Sequence, residues 1–353
     1  MPRWCLRVAT AFAAVGVAVV TLIGPASADP PLPQKSHFDL QAHRGGIGLT
    51  TESTLAGFAK AIELGVTTLE LDAQVTQDEK VIVSHDRQVN GVKCQDTAPA
   101  FPGDPEFPYV GKFITNLTLA QVKTLNCGYQ QLPGFPSQQV VSGPMIELRD
   151  VFALVKRYKA KQLMLNIETK VEAGAPQETA PRALFVRRVW EEIRDAGISK
   201  QVTIQSFDWG ALKAMHALAP GLPLVALTNR DFLQVGQPGA SPWLGGIDAD
   251  DFGGDFVAAA ASIEGVTALS PVQGFPQNGT ISDPTFVPYP DRKMIDDAHR
   301  RGLRVIPWTI DDPATMDYFI DLGVDGIITD YPDRLRTVMA QNGLRLPKAY
   351  RAR

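Results

Sequence analysis

The alternation of short apolar runs with amphipathic stretches is the feature that most constrains the fold of this 353-residue chain. Eight runs have the length and composition of buried strands, and most are separated by a stretch with helical periodicity that ends at glycine or proline. The predicted strands are residues 38–43, 67–75, 163–168, 202–207, 222–227, 266–270, 303–309 and 325–329. Strands that alternate with helices form a parallel sheet with right-handed crossovers.

Eight strand–helix units within about 300 residues favour a closed (β/α)8 TIM barrel of the α/β class over an open, doubly wound sheet. No glycine-rich nucleotide-binding motif of the form GxGxxG or GxxxxGK[ST] follows any predicted strand. The usual sequence marker of an open nucleotide-binding sheet is therefore missing.

One further apolar run, residues 81–85, cannot be a ninth parallel strand. Only residues 76–80 separate it from the second strand, and a parallel crossover needs a dozen or more residues. We therefore predict a β-hairpin that returns along strand 2 and brings His85 to the mouth of the barrel. The proline-rich stretch at about 91–140 follows, and we interpret it as a long capping insertion beside that mouth.

The first 28 residues have the pattern of a signal peptide. Two arginines precede an apolar run at 8–23, and the small residues Ala26-Ser27-Ala28 follow it. We predict cleavage after Ala28 and export of a single barrel domain, residues 29–353, to a secreted or extracytoplasmic location without stable membrane insertion. The alternative is a single membrane anchor, since the apolar run is nearly long enough to span a bilayer.

Two cysteines remain after such cleavage, Cys94 and Cys127, and both lie in the capping insertion. Export to an oxidising compartment favours a disulfide between them, and the alternative is a pair of free buried thiols. The formal net charge is −4, without a broad basic stripe. Nucleic acid is therefore not expected as a partner, and the sequence carries no signal for an oligomeric state.

Carboxylates recur at the ends of the predicted strands, where barrel enzymes hold their reactive groups. Glu70 and Asp72 are two residues apart on one strand, so both side chains point to the same face. Glu168 repeats this placement on the next parallel strand. Three carboxylates without cysteine ligands suit one hard divalent cation, Ca²⁺ or Mg²⁺. The alternative is a set of acids that form salt bridges with Arg44 and Lys170.

Two histidines are predicted at the same mouth. His43 ends an inward-facing strand, and His85 ends the return strand of the hairpin. Two imidazoles can serve as general base and general acid near neutral pH. The other three, His37, His216 and His299, are interpreted as packed or surface residues.

Arg44 and Lys170 add positive charge beside the predicted cation site. The planar guanidinium of arginine matches the oxygens of a phosphoryl group, and lysine adds a point charge. A cation, an arginine, a lysine and two histidines together favour cleavage of a phosphate ester, because its negative charge grows in the transition state.

These residues stand in ordered motifs, and the chain resembles glycerophosphodiester phosphodiesterases over about 38–340. The motifs are His43-Arg44-Gly45-Gly46, Glu52, Glu70-Leu71-Asp72, His85-Asp86, Asn166-Ile167-Glu168 with Lys170, Gln205-Ser206-Phe207, Trp308-Thr309, and Gly323 through Pro332. The resemblance implies a barrel enzyme that hydrolyses a glycerophosphodiester, a small-molecule substrate, to glycerol 3-phosphate and an alcohol. The nucleophile is water or the glycerol 2-hydroxyl group.

The resemblance also implies a role for individual residues. These are metal ligands at Glu70, Asp72 and Glu168, an acid/base pair at His43 and His85, phosphate contacts at Arg44 and Lys170, and a glycerol-pocket residue at Trp308. Glu52 is either a metal ligand itself or a residue that contacts the metal ligands without binding the metal. Asp311 stands where the family usually has asparagine, which predicts extra negative charge near the pocket and an altered headgroup preference.

Two alternative functions follow from the same residues. A related barrel of the phospholipase C or D type would act on intact lipids, and it would expose apolar residues at the mouth. The candidates for that surface are Phe101, Phe107, Tyr109 and Phe113 of the cap. A secreted, non-catalytic binding protein on the same barrel is the second alternative, although such a protein normally loses an acid, a base or a ligand, and none is missing here.

Overall fold

The computed structural model describes residues 1, 2, 4 and 37–352. Lys35–Arg353 forms one compact unit. Apart from three residues at its start, the predicted signal peptide lies outside the described residues, and so does its cleavage site at Ala28. Within the part of the chain that is described, no helix has the length and apolar character needed to cross a membrane.

Among the described residues, the structure contains the eight predicted parallel strands, five short additional strands and ten α-helices. The strands are β1 Asp39–Ala42, β2 Thr68–Val75, β3 Val81–Val83, β4 Cys94–Gln95, β5 Asn126–Cys127, β6 Met164–Thr169, β7 Val202–Ser206, β8 Leu224–Thr228, β9 Val266–Pro271, β10 Gly274–Phe275, β11 Val287–Pro288, β12 Arg304–Val305 and β13 Gly326–Thr329. The helices are α1 Leu55–Leu64, α2 Leu119–Val122, α3 Leu148–Arg157, α4 Arg182–Ala196, α5 Trp209–Leu218, α6 Arg230–Leu233, α7 Phe256–Ala261, α8 Arg292–Arg300, α9 Pro313–Leu322 and α10 Pro332–Gln341.

The eight parallel strands form a nearly closed barrel, as predicted. Their order is β12-β9-β8-β7-β6-β2-β1-β13, with each strand paired to its neighbour. Individual backbone hydrogen bonds bring the two ends of this sheet together, since Asp325 N donates to Val305 O at 2.9 Å and Ile328 N donates to Pro307 O at 3.0 Å. Together with the helices on its outside, this arrangement is the (β/α)8 TIM barrel.

The helices begin and end where local chemistry favours it. The hydroxyl of Thr54 accepts a hydrogen bond from Gly57 N at the start of α1. At the start of α9, Asp312 accepts from Thr315 N, and Pro313 occupies the first turn, where its missing N–H group costs nothing. That helix ends at Gly323, whose φ of 99° is accessible to glycine without strain.

Four helices of the described residues, α2, α3, α6 and α7, lie in stretches where the sequence predicts no helix, and α2 and α6 are single turns of four residues. Helix α3 follows the proline-rich insertion and begins at a capping box between Glu147 and Asp150. Its buried residues include Leu148, Val151 and Val155, a spacing that indicates a helix. Helix α7 has only six residues, too few for a clear periodicity.

The hairpin predicted after the second strand is present, because β3 pairs antiparallel with β2. The insertion that follows packs a small apolar cluster of its own against the outer side of this hairpin, and Ile82, Tyr109 and Leu117 are members of that cluster. Strands β4 and β5 pair Cys94 with Cys127, and a disulfide joins the two residues. We call residues 91–140 the cap.

The main apolar core lies between the sheet and the helices. The interior of the barrel has one apolar side and one polar side. One side of the interior is apolar and contains Val225, Ala268, Ile306 and Ile328. The opposite side is a hydrogen-bonded polar layer: Asn166 donates to both Gln41 and Gln205, and Gln205 donates to Glu70 at 2.8 Å. This layer supports the functional residues above it.

Candidate active site

The predicted site residues gather at the carboxyl end of the barrel. His43 and Arg44 directly follow β1, and Lys170 directly follows β6. The remaining members are Glu70 and Asp72 on β2, His85 just beyond β3, Glu168 on β6 and Trp308 beyond β12. Because parallel strands end at the same edge of the barrel, residues from distant parts of the sequence share one pocket.

Three buried carboxylates form the centre of this site. Glu70, Asp72 and Glu168 each offer one oxygen, and these oxygens lie within 4.8 Å of one another. The strand register explains the proximity, since Asp72 lies directly opposite Glu168 across the β2–β6 pair. Glu52, which the sequence leaves as a ligand or a supporting residue, lies outside this group of three.

The acidic cluster lacks enough positive charge for all three groups to ionise easily. Burial, followed by repulsion from Asp72, raises the pKa of Glu70 well above its usual value. Burial and the charge of Asp72 raise the pKa of Glu168 to about 7, against the opposing effect of Lys170. For Asp72, burial is outweighed by Lys170 and other cationic groups, so its pKa is lowered. An additional positive charge would relieve this repulsion.

One oxygen of the cluster lacks a hydrogen-bond partner, which supports the fit of a cation to these residues. Asp72 Oδ2 is buried and has no hydrogen-bond partner among the described residues. Arg44 Nε lies 3.5 Å from it but makes no hydrogen bond. A buried carboxylate oxygen without a partner is costly, and three carboxylates are the ligand set that a hard divalent cation prefers. The residues therefore fit Ca²⁺ or Mg²⁺.

His43 is oriented by a carboxylate from the opposite end of the sequence. Its Nδ1 lies 2.5 Å from Asp330 Oδ1, which follows the last barrel strand. Burial, and then the neighbouring Arg44, lower the pKa of His43 to about 3. A ring with this pKa is neutral near pH 7, and the contact with Asp330 favours the tautomer that has its proton on Nδ1 and a lone pair on Nε2.

His85 has the same arrangement with its sequence neighbour. Its Nδ1 lies 2.7 Å from Asp86 Oδ1. Burial, and then the charge of Lys170, lower the pKa of His85 to about 4. Both rings line the same cavity, each with one carboxylate that fixes its tautomer.

The two cations of the site contact the acidic groups. Arg44 has a φ of 51°, which turns its backbone N–H toward Glu70 Oε2 at 2.9 Å. Its side chain donates to Glu52 Oε2 at 2.9 Å. Lys170 Nζ lies 3.1 Å from Glu168 Oε1 and 3.8 Å from Asp72 Oδ1. Both cations are thus placed where an anionic ligand of the cluster would meet them.

Two cavities meet at this cluster. One has a volume of about 830 Å³ and the other about 470 Å³. Their shared wall includes His85, Glu168, Lys170, Phe207 and Trp308. A ligand that bridges the cluster can therefore extend one arm into each cavity.

Aromatic rings line the larger cavity. Trp308 meets Phe207 edge to face at 5.4 Å between centroids, and Phe207 meets Phe232 in the same way at 5.2 Å. Phe232 in turn stacks on Trp243 at 4.4 Å. Trp308 Nε1 donates to Ser270 O at 2.9 Å, which fixes the indole at the junction of the two cavities.

Asp311 lies next to the pocket, close enough for its charge to act on His43, but it is not part of the pocket wall. Its Oδ1 accepts hydrogen bonds from Thr329 Oγ1 at 3.0 Å and from Asp330 N at 2.8 Å, and Asp311 lines neither cavity. Burial, and then repulsion from Asp330, raise its pKa to about 7. Asp311 therefore contacts Asp330 on the side away from the cavities and does not contact a ligand in them.

Four contacts of the site, made by three residues, were not predicted. Asp330 pairs with His43, Gln205 donates to Glu70, and Lys93 contacts both Glu52 and Asp86. The first two residues stand in strand-end motifs, which is a usable sequence signal. Lys93 lies in the cap, where no periodicity indicates its direction.

Comparison with known proteins connects this geometry to a family. A sequence profile described as the glycerophosphoryl diester phosphodiesterase family matches residues 43–334. A glycerophosphodiester phosphodiesterase of Caldanaerobacter subterraneus subsp. tengcongensis is 25% identical over 302 residues, which cover 86% of this chain and 98% of the relative.

Two solved structures also resemble this chain. A Silicibacter pomeroyi protein, provisionally assigned as a glycerophosphoryl diester phosphodiesterase, matches with a TM-score of 0.69 and 26% identity, over 88% of this chain and 95% of that chain. An Oleispira antarctica phosphodiesterase, solved in complex with the product sn-glycerol-3-phosphate, matches with a TM-score of 0.60 and 18% identity, over 86% of this chain and 97% of that chain.

Proposed function

Because the chain belongs to the glycerophosphoryl diester phosphodiesterase family, we propose that it hydrolyses glycerophosphodiesters to glycerol 3-phosphate and an alcohol. The observation that carries this proposal is the buried cluster of three carboxylates, flanked by two carboxylate-oriented histidines at the mouth of the barrel. Such a site suits a phosphodiester, which carries one negative charge and gains more as it reacts.

In the proposed mechanism, Glu70, Asp72 and Glu168 hold one divalent cation. Such a cation, when bound, supplies positive charge to the phosphoryl oxygens. Arg44 and Lys170 contact the same oxygens and stabilise the charge that develops on them. Their contacts with the carboxylates keep both side chains at the cluster before a substrate arrives.

His43 and His85 transfer the protons. One imidazole accepts the proton of the nucleophile through Nε2, while the other donates a proton to the leaving alkoxide. The bond between phosphorus and the nucleophile forms as the bond to the leaving oxygen breaks. Burial lowers the pKa of both histidines, which favours the base, and the negative charge of a bound phosphodiester favours the protonated acid.

The two cavities accommodate the two arms of such a substrate. Glycerol is a small group, so we assign it to the cavity of about 470 Å³, with Trp308 at its edge. The alcohol would occupy the larger cavity of about 830 Å³, along the aromatic rings of Phe207, Phe232 and Trp243. The phosphoryl group would then lie at the shared wall beside Lys170.

The cap gives little support to the alternative function on intact lipids. Of its four aromatic candidates only Phe101 is exposed, at 51%, whereas Tyr109 is fully buried and donates a hydrogen bond to Asp104. Phe107 and Phe113 are half-buried. A continuous apolar surface at the mouth, which lipid binding would favour, is absent from these positions.

We also propose that residues 1–28 act as a cleaved signal peptide and that a single domain, residues 29–353, is exported. The disulfide between Cys94 and Cys127 supports export, because such bonds persist in oxidising compartments. Amino-terminal sequencing of protein recovered outside the cytoplasm would test the cleavage. A first residue other than Asp29 would contradict the proposed site.

The proposed activity is tested with a panel of glycerophosphodiesters and with lipid vesicles. We expect release of glycerol 3-phosphate from the soluble diesters, loss of release after treatment with a chelator, and recovery on addition of Ca²⁺ or Mg²⁺. Preferential action on the vesicles would favour the lipid function instead. Full activity in metal-free protein would contradict the role of the cation.

A further inference from the structure

The cap contributes a residue to the active site. We propose that Lys93 is a positioning residue that bridges Glu52 and Asp86 and thereby holds Arg44 and His85 in place for the reaction. This inference rests on the proposed phosphodiesterase function. It assigns the cap a part in organising the site, in addition to forming one of its walls.

A continuous chain of contacts carries the inference. Arg44 Nη1 lies 2.9 Å from Glu52 Oε2, and the other oxygen of Glu52 lies 2.8 Å from Lys93 Nζ. Lys93 Nζ also lies 3.0 Å from Asp86 Oδ2, and Asp86 Oδ1 lies 2.7 Å from His85 Nδ1. The ammonium group therefore connects the support of the phosphate-binding arginine with the support of one catalytic histidine.

Partial burial strengthens the ion pairs of Lys93. The side chains of Glu52 and Lys93 are only 9% and 24% exposed, so solvent screens their interaction less than it screens a surface ion pair. Each carboxylate has one oxygen against its catalytic-site partner and the other against Lys93. The second oxygen of Asp86 also accepts a hydrogen bond from Asn90 Nδ2 at 3.0 Å. Without the ammonium group, Glu52 and Asp86 would each lose a partner and could rotate away from Arg44 and His85.

The cap fixes the backbone of Lys93 from both sides. Lys93 N donates to Asn90 O at 3.0 Å, and Gly128 N donates to Lys93 O at 2.7 Å. The next residue, Cys94, is joined to Cys127 by the disulfide. The ammonium group thus extends from a backbone that is held at two neighbouring positions.

The cap also packs closely against the loop that carries Glu52. Gly128 has a φ of 67°, and a Cβ atom there would lie 2.4 Å from Thr51 Cγ2, closer than atoms can approach. Thr51 N donates to Gln139 O at 3.0 Å, and Val141 N donates to Thr51 Oγ1 at 2.9 Å. The positions of Lys93 and Glu52 are therefore set by the same contact surface.

The test compares Lys93→Ala and Lys93→Arg with the wild type, in the full-length metal-loaded protein. Lys112→Ala is the matched control, because Lys112 forms an ion pair with Glu106 in the cap and lines neither cavity. We expect Lys93→Ala to lower kcat by about 10–100-fold, as loss of a supporting partner does elsewhere, with KM changed by less than about threefold. Lys93→Arg should retain most of the activity, since it keeps the charge and the donors.

Three results would overturn the inference: wild-type kcat in Lys93→Ala, equal losses in Lys93→Ala and Lys93→Arg, or an equal loss in Lys112→Ala. A second measurement does not depend on activity. In protein with ¹⁵N-labelled histidine, Lys93→Ala should shift or broaden the Nδ1 signal of His85, identified by its absence in His85→Gln, and Lys112→Ala should not.

The two measurements also separate the inference from the function on which it rests. A wild-type protein that is inactive on every diester would contradict the proposed function. The ¹⁵N signal of His85 would then decide the role of Lys93 alone. An unchanged signal in Lys93→Ala would contradict that role.

Discussion

At the scale of single residues, the site combines groups whose ionisation is controlled by burial. His43 and His85 are kept neutral because burial lowers their pKa values to about 3 and about 4. Glu168, by contrast, has a pKa raised to about 7 by burial. Each of these three pKa shifts favours the uncharged form of its group. A bound cation would favour ionised Glu168, and a bound phosphodiester would favour a protonated histidine.

Removal of either histidine tests the proton-transfer roles. His43→Ala and His85→Ala should each lower kcat by about 10²–10⁴-fold, because a positioned acid or base contributes that much. His299→Ala is the control, since this residue is partly exposed and pairs with Asp325. Release of glycerol 3-phosphate and the thermal midpoint are measured together. Turnover close to wild type in either active-site variant would contradict its role.

Asp311 gives a prediction for the dependence of stability on pH. Its pKa is about 7 in the folded protein and about 4 in the unfolded chain. The folded state therefore binds this proton more tightly, and the resulting stability is present at low pH and is lost as pH rises through about 7. Asp311→Asn removes this loss and keeps an oxygen that can accept from Thr329 and Asp330.

Urea unfolding at two pH values measures the effect. The free energy of unfolding of Asp311→Asn, minus that of the wild type, should be larger at pH 8.5 than at pH 5 by about 1–3 kcal/mol. The comparison within each pH cancels the contribution of every other titrating group that the substitution leaves unchanged. An equal difference at both pH values would show that Asp311 is not perturbed in the folded protein.

At the scale of elements, the strand period and the lengths of the connections determine much of the site. Glu70 and Asp72 share a face because side chains alternate along β2. The return strand β3 follows from the short connection and brings His85 to the same mouth. The cap is different, because its contacts depend on turns, on a disulfide and on the close approach at Gly128.

The disulfide of the cap should contribute strongly to stability. Cys94 and Cys127 are 33 positions apart, and closing a loop of this length reduces the entropy of the unfolded chain. By that argument, Cys94→Ser with Cys127→Ser should lower the free energy of unfolding by about 3–4 kcal/mol. Urea unfolding with and without a reductant measures the effect. A reductant should destabilise the wild type and leave the double variant unchanged, and equal midpoints for both proteins would contradict the prediction.

At the scale of the whole molecule, the nearly closed barrel brings eight strand ends to one rim. Residues 287 positions apart, His43 and Asp330, meet because the first and last barrel strands pair. Within the sheet, the pairing of β2 with β6 places three carboxylates within 4.8 Å of one another. The folded barrel therefore holds mutually repelling carboxylates at its mouth. A cation bound there should raise the stability of the entire folded unit.

Thermal unfolding in the presence of metal tests this coupling. A cation that binds only the folded state stabilises it, by about 2.7 kcal/mol at one hundred times its dissociation constant. Ca²⁺ or Mg²⁺ should therefore raise the Tm of the metal-free wild type. Asp72→Asn, which weakens the cluster, should reduce or abolish the increase. An identical response in both proteins would place the bound cation elsewhere.

The sequence by itself determined the eight parallel strands, the hairpin after the second strand and the reactive residues at the strand ends. These features depend on local periodicity and on connection lengths, which are present in the order of the residues. Only the tertiary structure decided that Asp330 orients His43, that Asp311 lies behind Asp330, and that Lys93 connects Glu52 with Asp86. Those contacts depend on barrel closure and on the packing of the cap, and on the burial that shifts the pKa values, and no short stretch of sequence carries that information.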